Sequence, residues 1–252
     1  MATAEPFFVT RTMQAIEVLT FGPATAPQIA GALQVHPRTA RRLLNRLVAD
    51  GWLTRTEGTV RTYAPTMRIV ALAAQLVEHA PLAHAARPVV ERLHEETQAV
   101  AHLDIPSYRS ALCLVQRAGC AEARPQLREL APAHATAGGK LLLAFRDLWR
   151  ESVLARPLER VTARTITDAD ALRAAAGRIR AEGVALEDGE LEADLRGVAA
   201  PVRDASGDVT AALAVSAPAE WLPADGLIPL AARVAQAADE VSVALREAAA
   251  HG

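Results

Sequence analysis

The sequence is poor in lysine, cysteine and aromatic residues. Lys140 is the single lysine among 27 basic residues, so arginine supplies nearly all of the positive charge. Aromatic residues make up 4% of the chain, whereas alanine is abundant, which favours closely packed helices over an aromatic-rich sheet. The two cysteines, Cys113 and Cys120, form no C-x-x-C motif and are too few for a disulfide framework. This cysteine usage favours a reducing compartment.

Long apolar stretches and targeting patterns are also missing. No run of about 18 uncharged apolar residues occurs, which predicts that no segment spans a membrane. Residues 1–9 lack the basic region followed by an apolar run that a signal peptide needs. We therefore expect a cytoplasmic protein without a membrane partner.

Motifs for cofactor, metal and catalytic chemistry are absent or incomplete. Residues 138–140 resemble the end of a phosphate-binding loop, but His134 stands where that loop needs glycine and Leu141 where it needs Ser or Thr. His94 begins an incomplete zinc-protease motif, because Gln98 occupies the position of the second histidine. Neither G-x-S-x-G nor G-x-G-x-x-G is present, and no histidine has a ligand-like spacing to a cysteine. The sequence predicts no cofactor, no metal, no catalytic residues and no enzyme.

Charge is distributed unevenly along the 252 residues, a length sufficient for two domains. The net charge is −2. Residues 1–80 nevertheless hold eight arginines against five acidic residues, so this part is basic and the remainder is acidic. A basic head joined to an acidic domain is typical of a DNA-binding module attached to a domain that does not touch DNA.

The first eighty residues predict three helices. The first covers residues 11–21, and a capping box of Thr25 and Gln28 opens the second. The third covers residues 37–50, and Gly51 supplies its left-handed end. The residues expected on the buried faces are Met13, Ile16, Leu19, Thr20, Ile29, Ala30, Leu33, Ala40, Leu43, Leu44, Leu47 and Val48.

The outward face of the third predicted helix is basic and carries no acid before Asp50. Arginine and asparagine can each make two hydrogen bonds to one base edge, and arginine also binds phosphate. Two β-prone runs, 52–56 and 60–63, follow on either side of Gly58 and predict a hairpin. Three helices followed by a two-stranded wing indicate a winged helix-turn-helix. The predicted DNA-binding residues are Thr25, Gln28, His36, Arg38, Thr39, Arg41, Arg42, Asn45, Arg55 and Arg61.

These motifs resemble those of the IclR family of bacterial regulators. In that family the recognition helix has Ser or Thr, a variable pair and then Arg-Leu-Leu, which Thr39 and residues 42–44 match. Residues 65–77 are similar to the helix that joins the two domains in the family, and the resemblance implies dimerisation through this region. The similar segments of this half are 25–33, 36–48 and 51–53.

The second half alternates between helix and strand patterns. A hinge is expected at 81–86, and Thr167 is expected to cap a helix that Gly183 closes. Ile228 is expected on the buried face of the last helix. The mixed order with hairpins indicates an α+β domain with an antiparallel sheet. Helices are predicted at 84–97, 138–148, 168–182 and 225–248, and strands at 99–105, 110–116, 184–186, 198–202 and 209–216.

This half resembles the IclR family as well, in residues 132–145, 165–168, 183–192 and 200–207. The resemblance spans nearly the whole chain and implies a GAF-like sheet with an effector pocket. The expected fold class is α+β, an N-terminal winged helix-turn-helix followed by a C-terminal GAF-like antiparallel-sheet effector domain. We expect a DNA-binding domain at 1–65, a linker helix at 66–83 and the effector-binding domain at 84–252.

The resemblance also implies which residues line the effector pocket. The small residues before Lys140 would offer free amides near a helix start, which suit a carboxylate. This chain has Gly197 at a frequent cysteine position and keeps only Ser216 of two frequent serines, so we expect a roomier, less polar pocket for a larger or aromatic compound. We interpret His102 and Asp104 as exposed or pocket-facing polar groups rather than a catalytic pair. The implied effector-binding residues are Ala137, Gly138, Gly139, Glu187, Leu195, Gly197, Ala214 and Ser216.

These patterns predict a ligand-responsive, DNA-binding transcriptional regulator. We expect a repressor of a catabolic or metabolic operon, with activation as the open alternative, controlled by a small carboxylate-bearing effector that can be aromatic. The expected partners are a palindromic double-stranded DNA operator, the effector, and further copies in a homodimer or a dimer of dimers. Two other functions stay open: an enzyme built on the C-terminal domain, and a winged helix that binds protein instead of DNA.

Overall fold

The chain folds into two compact units, Met1–His79 and Ala80–Gly252. In the computed structural model the described residues are 5–20, 22–56, 60–78, 80–118 and 130–250. Among them, every helix is too short or too polar to cross a membrane. The α+β class and the winged helix-turn-helix at the N-terminus are as predicted.

Three helices of the first unit pack around one apolar core that includes Leu19, Ile29 and Leu44. The predicted capping box is present: the Gln28 amide donates to Thr25 Oγ1, and the Thr25 amide donates to Gln28 Oε1 at 2.8 Å. This cap satisfies backbone donors that the first turn of a helix leaves without partners. The helices are α1 (Glu5–Thr20), α2 (Ala26–Leu33) and α3 (Pro37–Ala49).

The buried face of α1 differs from the prediction. Met13 is 56% exposed and Thr20 is also exposed, whereas Ala15 and Leu19 are buried. The i, i+4 pair of Ala15 and Leu19 defines the inner face. The prediction was therefore right for Leu19 and for Ile16, which packs against the core, and wrong for Met13 and Thr20. The sequence pattern gave weight to the larger Met13 instead of the small alanine that packs in the core.

The wing consists of two antiparallel strands, β1 (Leu53–Thr56) and β2 (Thr62–Pro65). Val60, which was expected in the second strand, lies outside it and is 64% exposed. Gly58, the predicted turn residue, lies outside the described residues. Helix α4 (Met67–Glu78) follows the wing, close to the predicted linker helix.

The second unit is a six-stranded antiparallel sheet with helices on both faces, in the strand order β5-β4-β3-β8-β7-β6. Alternation along one strand shows the layering: Val198 and Ala200 pack with the first and last helices of the unit, and Ala199 packs on the opposite side. The strands are β3 (Val100–Ser107), β4 (Ser110–Arg117), β5 (Leu130–Pro132), β6 (Ala185–Asp188), β7 (Leu195–Arg203) and β8 (Val209–Pro218). The helices are α5 (Pro81–Thr97), α6 (Ala137–Phe145), α7 (Asp147–Leu154), α8 (Ala169–Glu182) and α9 (Leu227–Ala250).

The hinge predicted at 81–86 is wrong, because these residues form the first turns of α5. Proline has no amide proton to donate, so it is tolerated in the first turn of a helix, and Pro81 starts α5 instead of interrupting the chain. The segment predicted as a linker helix, 66–83, therefore covers α4, which ends at Glu78, and the start of α5. The assignment of separate domain, linker and effector functions to these segments stays a prediction.

Three smaller predictions for this unit need correction, and one strand was missed. Asp168 caps α8 in place of Thr167, since its carboxylate accepts from the Ala171 amide at 2.8 Å. The helix predicted at 138–148 is two helices that change direction at Arg146, and β5 was not predicted. Ile228 is 76% exposed, so the buried stripe of α9 does not include it.

Candidate nucleic-acid interface and buried polar cavity

Helix α3 has an apolar inner face and a basic outer face, as predicted. His36 and Pro37 start the helix, and His36 Nδ1 accepts a hydrogen bond from the Arg38 amide at 3.2 Å. The inner residues Ala40, Leu43, Leu44 and Leu47 belong to the core. The outer residues Arg38, Thr39, Arg41, Arg42 and Asn45 are exposed.

The arginines at the centre of the outer face form no ion pair with any described residue. Arg46, one turn further along α3, is neutralised by Asp50, with 2.9 Å between Nε and Oδ2. Arg38, Arg41 and Arg42 have no such acidic partner within the described ranges. Their positive charge is therefore available to a phosphate or to the edge of a base.

Helix α3 and the wing together form a concave basic surface, lined by Arg41, Asn45, Arg55 and Arg61. The Tyr63 hydroxyl donates to Asn45 Oδ1 at 3.2 Å, which fixes the amide of Asn45 in orientation. This arrangement brings together the predicted residues of the helix and of the wing on one surface.

Thr25 and Gln28 bond to each other in the cap of α2. A DNA contact from either side chain would compete with that cap. Their role in DNA binding, like that of His36, stays a prediction.

A small polar cavity lies in the second unit, between the sheet and the N-terminal end of α6. Its volume is about 20 Å³, which is room for roughly one water molecule. Its polar lining comes from four strands and from the residue before α6. The polar lining residues are His102, Asp104, Cys113, Thr136, Glu187 and Ser216.

A chain of hydrogen bonds crosses this cavity. His102 Nδ1 lies 2.9 Å from Asp104 Oδ1, and His102 Nε2 lies 3.2 Å from Ser216 Oγ. All three residues are buried. The order of carboxylate, imidazole and hydroxyl is that of a serine-hydrolase triad. However, a cavity of this volume does not hold a substrate.

Glu187 is the other buried acid of the cavity and is 1% exposed. Its Oε1 accepts from the Leu191 amide at 3.1 Å. Burial raises the pKa of Glu187 to about 8, so the carboxyl group is protonated at neutral pH.

Glycine at position 197 keeps Glu187 and Ser216 close to each other. Glu187, Gly197 and Ser216 lie opposite one another across β6, β7 and β8. A Cβ atom at Gly197 would lie 3.0 Å from Ser216 Oγ and 3.5 Å from Glu187 Oε2. A larger residue would therefore push these two polar side chains apart.

The predicted free amides at the start of α6 are not all free. The Gly139 amide donates to Thr136 Oγ1 at 3.0 Å, so this amide is used in the cap of the helix and does not face a ligand. Any side chain at Gly138 would overlap Asp104 Oδ2, which makes this glycine a packing requirement. The effector-binding set stays a prediction. Of its members, Ala137, Glu187 and Ser216 line the cavity, Gly197 adjoins it, and Gly138, Gly139, Leu195 and Ala214 do not line it.

The expectation of a roomier, less polar pocket stays a prediction; the cavity of this structure is small, and its lining includes six polar residues. The pocket-facing interpretation of His102 and Asp104 is confirmed.

Cys113 was missed, and with it the proximity of a cysteine to a histidine. Pairing of β3 with β4 places Cys113 opposite Asp104, and donor atoms of His102, Asp104 and Cys113 all lie within 4.8 Å of one another. The alternating pattern of residues 110–116, which predicted a strand, was the signal in the sequence that could have pointed to Cys113. The other lining residues that were missed are Ala111, Ala131, Thr136 and Leu191.

Comparison with known proteins gives consistent matches. Residues 74–243 match the family model described as "Bacterial transcriptional regulator IclR C-terminal". The chain is 30% identical to the Pca regulon regulatory protein of Pseudomonas putida, with 85% of this chain and 76% of that protein covered. It is 31% identical to the HTH-type transcriptional regulator BhcR of Paracoccus denitrificans, with 86% and 79% covered. A solved IclR homologue from Microbacterium hydrocarbonoxydans, complexed with 4-hydroxybenzoate, has a TM-score of 0.70 and 26% identity over 94% of this chain and 98% of that chain.

Proposed function

Because this chain belongs to the IclR family of bacterial transcriptional regulators, we propose that it binds a palindromic operator as a homodimer. When a small acid enters the C-terminal unit, the dimer leaves the operator or changes its conformation on it. The observation that carries the proposal is the outer face of α3. Arg38, Arg41 and Arg42 are exposed there without an ion-pair partner among the described residues. A solvated helix face ordinarily mixes charges of both signs, whereas this one has the chemistry of a DNA-reading helix.

In this proposal α3 enters the major groove. Arg41 and Asn45 face base edges, and Arg55 and Arg61 of the wing reach phosphates. The Tyr63 contact restricts the Asn45 amide before DNA arrives, which lowers the entropy lost on binding.

Helix α4 supplies the dimer contact in this proposal. Three large apolar residues of this helix are exposed: Met67 at 75%, Val70 at 53% and Leu72 at 42%. Met67 and Val70 lie one turn apart on one side of α4, whereas Leu72 lies on the other side, and large apolar side chains exposed in this way are typical of a protein interface. A dimer joined there would carry two recognition helices to two half-sites, as a palindromic operator requires.

The effector is proposed to be a small carboxylic acid that binds at the polar cavity. A protonated Glu187 can donate a hydrogen bond to a carboxylate, and His102 offers a second polar contact. The Microbacterium homologue was crystallised with 4-hydroxybenzoate, which supports an aromatic acid as one candidate. The relative named Pca regulon regulatory protein supports a regulated group of genes as the target. A metabolic operon and repression are the proposed target and mode.

Effector binding must enlarge the cavity, because about 20 Å³ admits only a water molecule. Since protein interiors are close-packed, separating α6 from the sheet would shift the layers on both sides. A ligand that binds the enlarged state better than the closed one shifts the population between them. This difference in affinity is the proposed source of regulation.

The test is selection of bound genomic DNA, followed by gel shifts on the selected sequence. Arg42→Ala is expected to weaken operator binding on the order of 10-fold to 100-fold, because it removes one base or phosphate contact. Arg46→Ala is the matched control: it lies on the same helix, but its charge is already paired with Asp50. Equal loss in both variants, or no loss in Arg42→Ala, contradicts the proposed face.

Two further measurements separate the alternatives. Affinity for DNA should fall steeply as salt rises, because arginine–phosphate contacts release counterions. A protein-binding winged helix would not show a salt-sensitive gel shift. An enzyme would convert its bound acid to product on prolonged incubation, whereas a regulator returns the acid unchanged.

A further inference from the structure

We propose that Thr66 and Arg68 form a joint that fixes helix α4 to the end of helix α3, and that this joint sets the spacing of the operator half-sites that the protein accepts. Thr66 directly precedes α4, and Arg68 lies in its first turn. Both residues bond to the turn that ends α3. The contacts of the joint all lie within the first unit, whereas its effect on half-site spacing rests on the proposed function.

The turn after α3 leaves three successive carbonyl groups available. Gly51 has a φ of 77°, and its amide donates to the Val48 carbonyl at 3.1 Å. The Trp52 amide donates to the Leu47 carbonyl at 2.9 Å. This left-handed arrangement ends the helix by using carbonyl groups of its last turn. The carbonyl groups of residues 50–52 take no part in it.

Each of these three carbonyl groups accepts a hydrogen bond from the joint. Arg68 Nη1 donates to the Asp50 carbonyl at 3.0 Å. The Thr66 hydroxyl donates to the Gly51 carbonyl at 2.9 Å, and the Thr66 amide donates to the Trp52 carbonyl at 3.0 Å. The last of these bonds extends the ladder between β1 and β2 by one residue pair. The wing therefore brings the start of α4 to the end of α3.

The guanidinium group of Arg68 also stacks on the ring of Trp52. Its Cζ atom lies 4.1 Å from the ring centroid, which is the geometry of a cation–π contact. Trp52 is half-buried and packs against the core of the first unit. A cation is also favoured at the C-terminal end of a helix, where carbonyl groups concentrate negative charge. Arg68 thus connects α4 both to the core and to the end of α3.

A contact with a DNA phosphate is the competing role for Arg68, because its side chain is exposed. Lysine separates the two roles. It would keep a charge for a phosphate, but it has no planar group that can stack on Trp52 and donate to the Asp50 carbonyl at the same time. The joint therefore requires arginine, whereas a phosphate contact does not.

A fixed joint makes α3 and α4 move together. Because α4 supplies the proposed dimer contact, its angle to α3 determines the distance and the rotation between the two recognition helices. One additional base pair between the half-sites moves one of them by about 3.4 Å and turns it by roughly 35° around the DNA axis. Two rigidly held helices cannot follow this change. Arg68 is thus a positioning residue for operator recognition.

The first test measures the joint in the full chain without DNA. Hydrogen exchange at residues 66–69 reports how often the start of α4 opens. Arg68→Ala is expected to speed this exchange by about 10-fold, because it removes a charged hydrogen bond and a cation–π contact. Arg46→Ala is the matched control, since Arg46 also lies at the end of α3 but pairs with the Asp50 carboxylate. It is expected to leave the exchange unchanged.

The second test uses gel shifts on operators whose half-site spacing is changed by one base pair. The wild type is expected to lose at least about 10-fold in affinity, because its recognition helices are held rigidly. Arg68→Ala and Arg68→Lys are expected to lose less than about 3-fold, and both should bind an isolated half-site as the wild type does. A phosphate contact would instead weaken binding at every spacing in Arg68→Ala, lower its salt slope by about 1, and be kept by Arg68→Lys.

The proposal is overturned if Arg68→Ala exchanges as slowly as the wild type, if it keeps the wild-type dependence on spacing, or if Arg68→Lys keeps that dependence. Equal acceleration of exchange by Arg46→Ala would also overturn it, because loss of any positive charge at this helix end would then explain the effect. A wild type that binds no operator contradicts the proposed function and the effect on spacing, whereas the exchange measurement decides on the joint by itself.

Discussion

Glu187 shows how one buried side chain can make stability depend on pH. Its pKa is raised from 4.5 to about 8, first because burial disfavours the charged form. The folded state therefore holds this proton more tightly than the unfolded state. Its contribution to stability is complete below about pH 4.5 and is lost as the pH rises towards 8.

We therefore expect Glu187→Gln to flatten the pH dependence of the C-terminal unit. Glutamine keeps an oxygen that can accept from the Leu191 amide, and it cannot ionise. Between about pH 5 and pH 8, the free energy of unfolding of the wild type should fall by on the order of a few kcal/mol relative to this variant. Calorimetry at several pH values measures the difference.

The control for this measurement is Glu220→Gln, which changes an exposed carboxylate of the same unit. Its pH profile should follow the wild type. If Glu187→Gln also follows the wild type, Glu187 is not protonated in the folded protein, and its proposed donation to an effector carboxylate fails with it.

At the scale of elements, glycine allows α6 to pack closely against the rest of the unit. A Cβ atom at Gly139 would overlap the backbone of Ala133, which cannot move aside as a flexible side chain can. Gly177 is its counterpart in α8, where a Cβ atom would meet nothing within 4 Å. Gly139 is therefore needed for close packing, whereas Gly177 has space for a side chain.

We expect Gly139→Ala to destabilise the C-terminal unit by about 1–3 kcal/mol through overpacking. Gly177→Ala should stabilise it by ~0.5–1 kcal/mol, because alanine is the better helix former and the site is open. Urea unfolding of both variants measures the two effects. A stabilised Gly139→Ala would mean that α6 does not pack as closely on Ala133 as the structure shows.

The success of the sequence-based predictions differs between elements for physical reasons. Helix α3 was predicted correctly because its apolar residues recur at helical spacing between Pro37 and Gly51. Helix α7 was missed because Val153 is its only buried residue, so it carries almost no periodic signal. The hinge at 81–86 failed because the start-of-helix role of Pro81 was interpreted as a break.

The cavity was predictable only in part. Glu187 was found because it lies in a segment that resembles the family, and Ser216 because the family often has a serine at that position of the last strand. The proximity of Cys113 to His102 and Asp104 depends on the pairing of β3 with β4 and on the register shift after Leu103. No pattern within either strand fixes that register, so three-dimensional structure was needed to bring these donors together.

For the whole molecule, the exposed apolar side chains of α4 are the proposed link that lets two DNA-binding units act together. Val70 is 53% exposed and lies one turn from Met67, which is 75% exposed. Val70→Glu would place a charge in the proposed interface, where it would be desolvated without a partner. We expect light scattering to show a fall in mass towards the 26.7 kDa of a single chain.

Operator affinity should fall with the mass, because each head would then bind its half-site alone. Two linked heads gain on the order of 10²-fold or more from effective concentration, so the loss in Val70→Glu should exceed that in Arg42→Ala. Leu148→Glu changes a residue of α7 that is 91% exposed and should leave both mass and affinity unchanged. If Leu148→Glu dissociates the protein and Val70→Glu does not, the copies meet through the C-terminal unit. The C-terminal unit would then set the spacing of the two DNA-binding units.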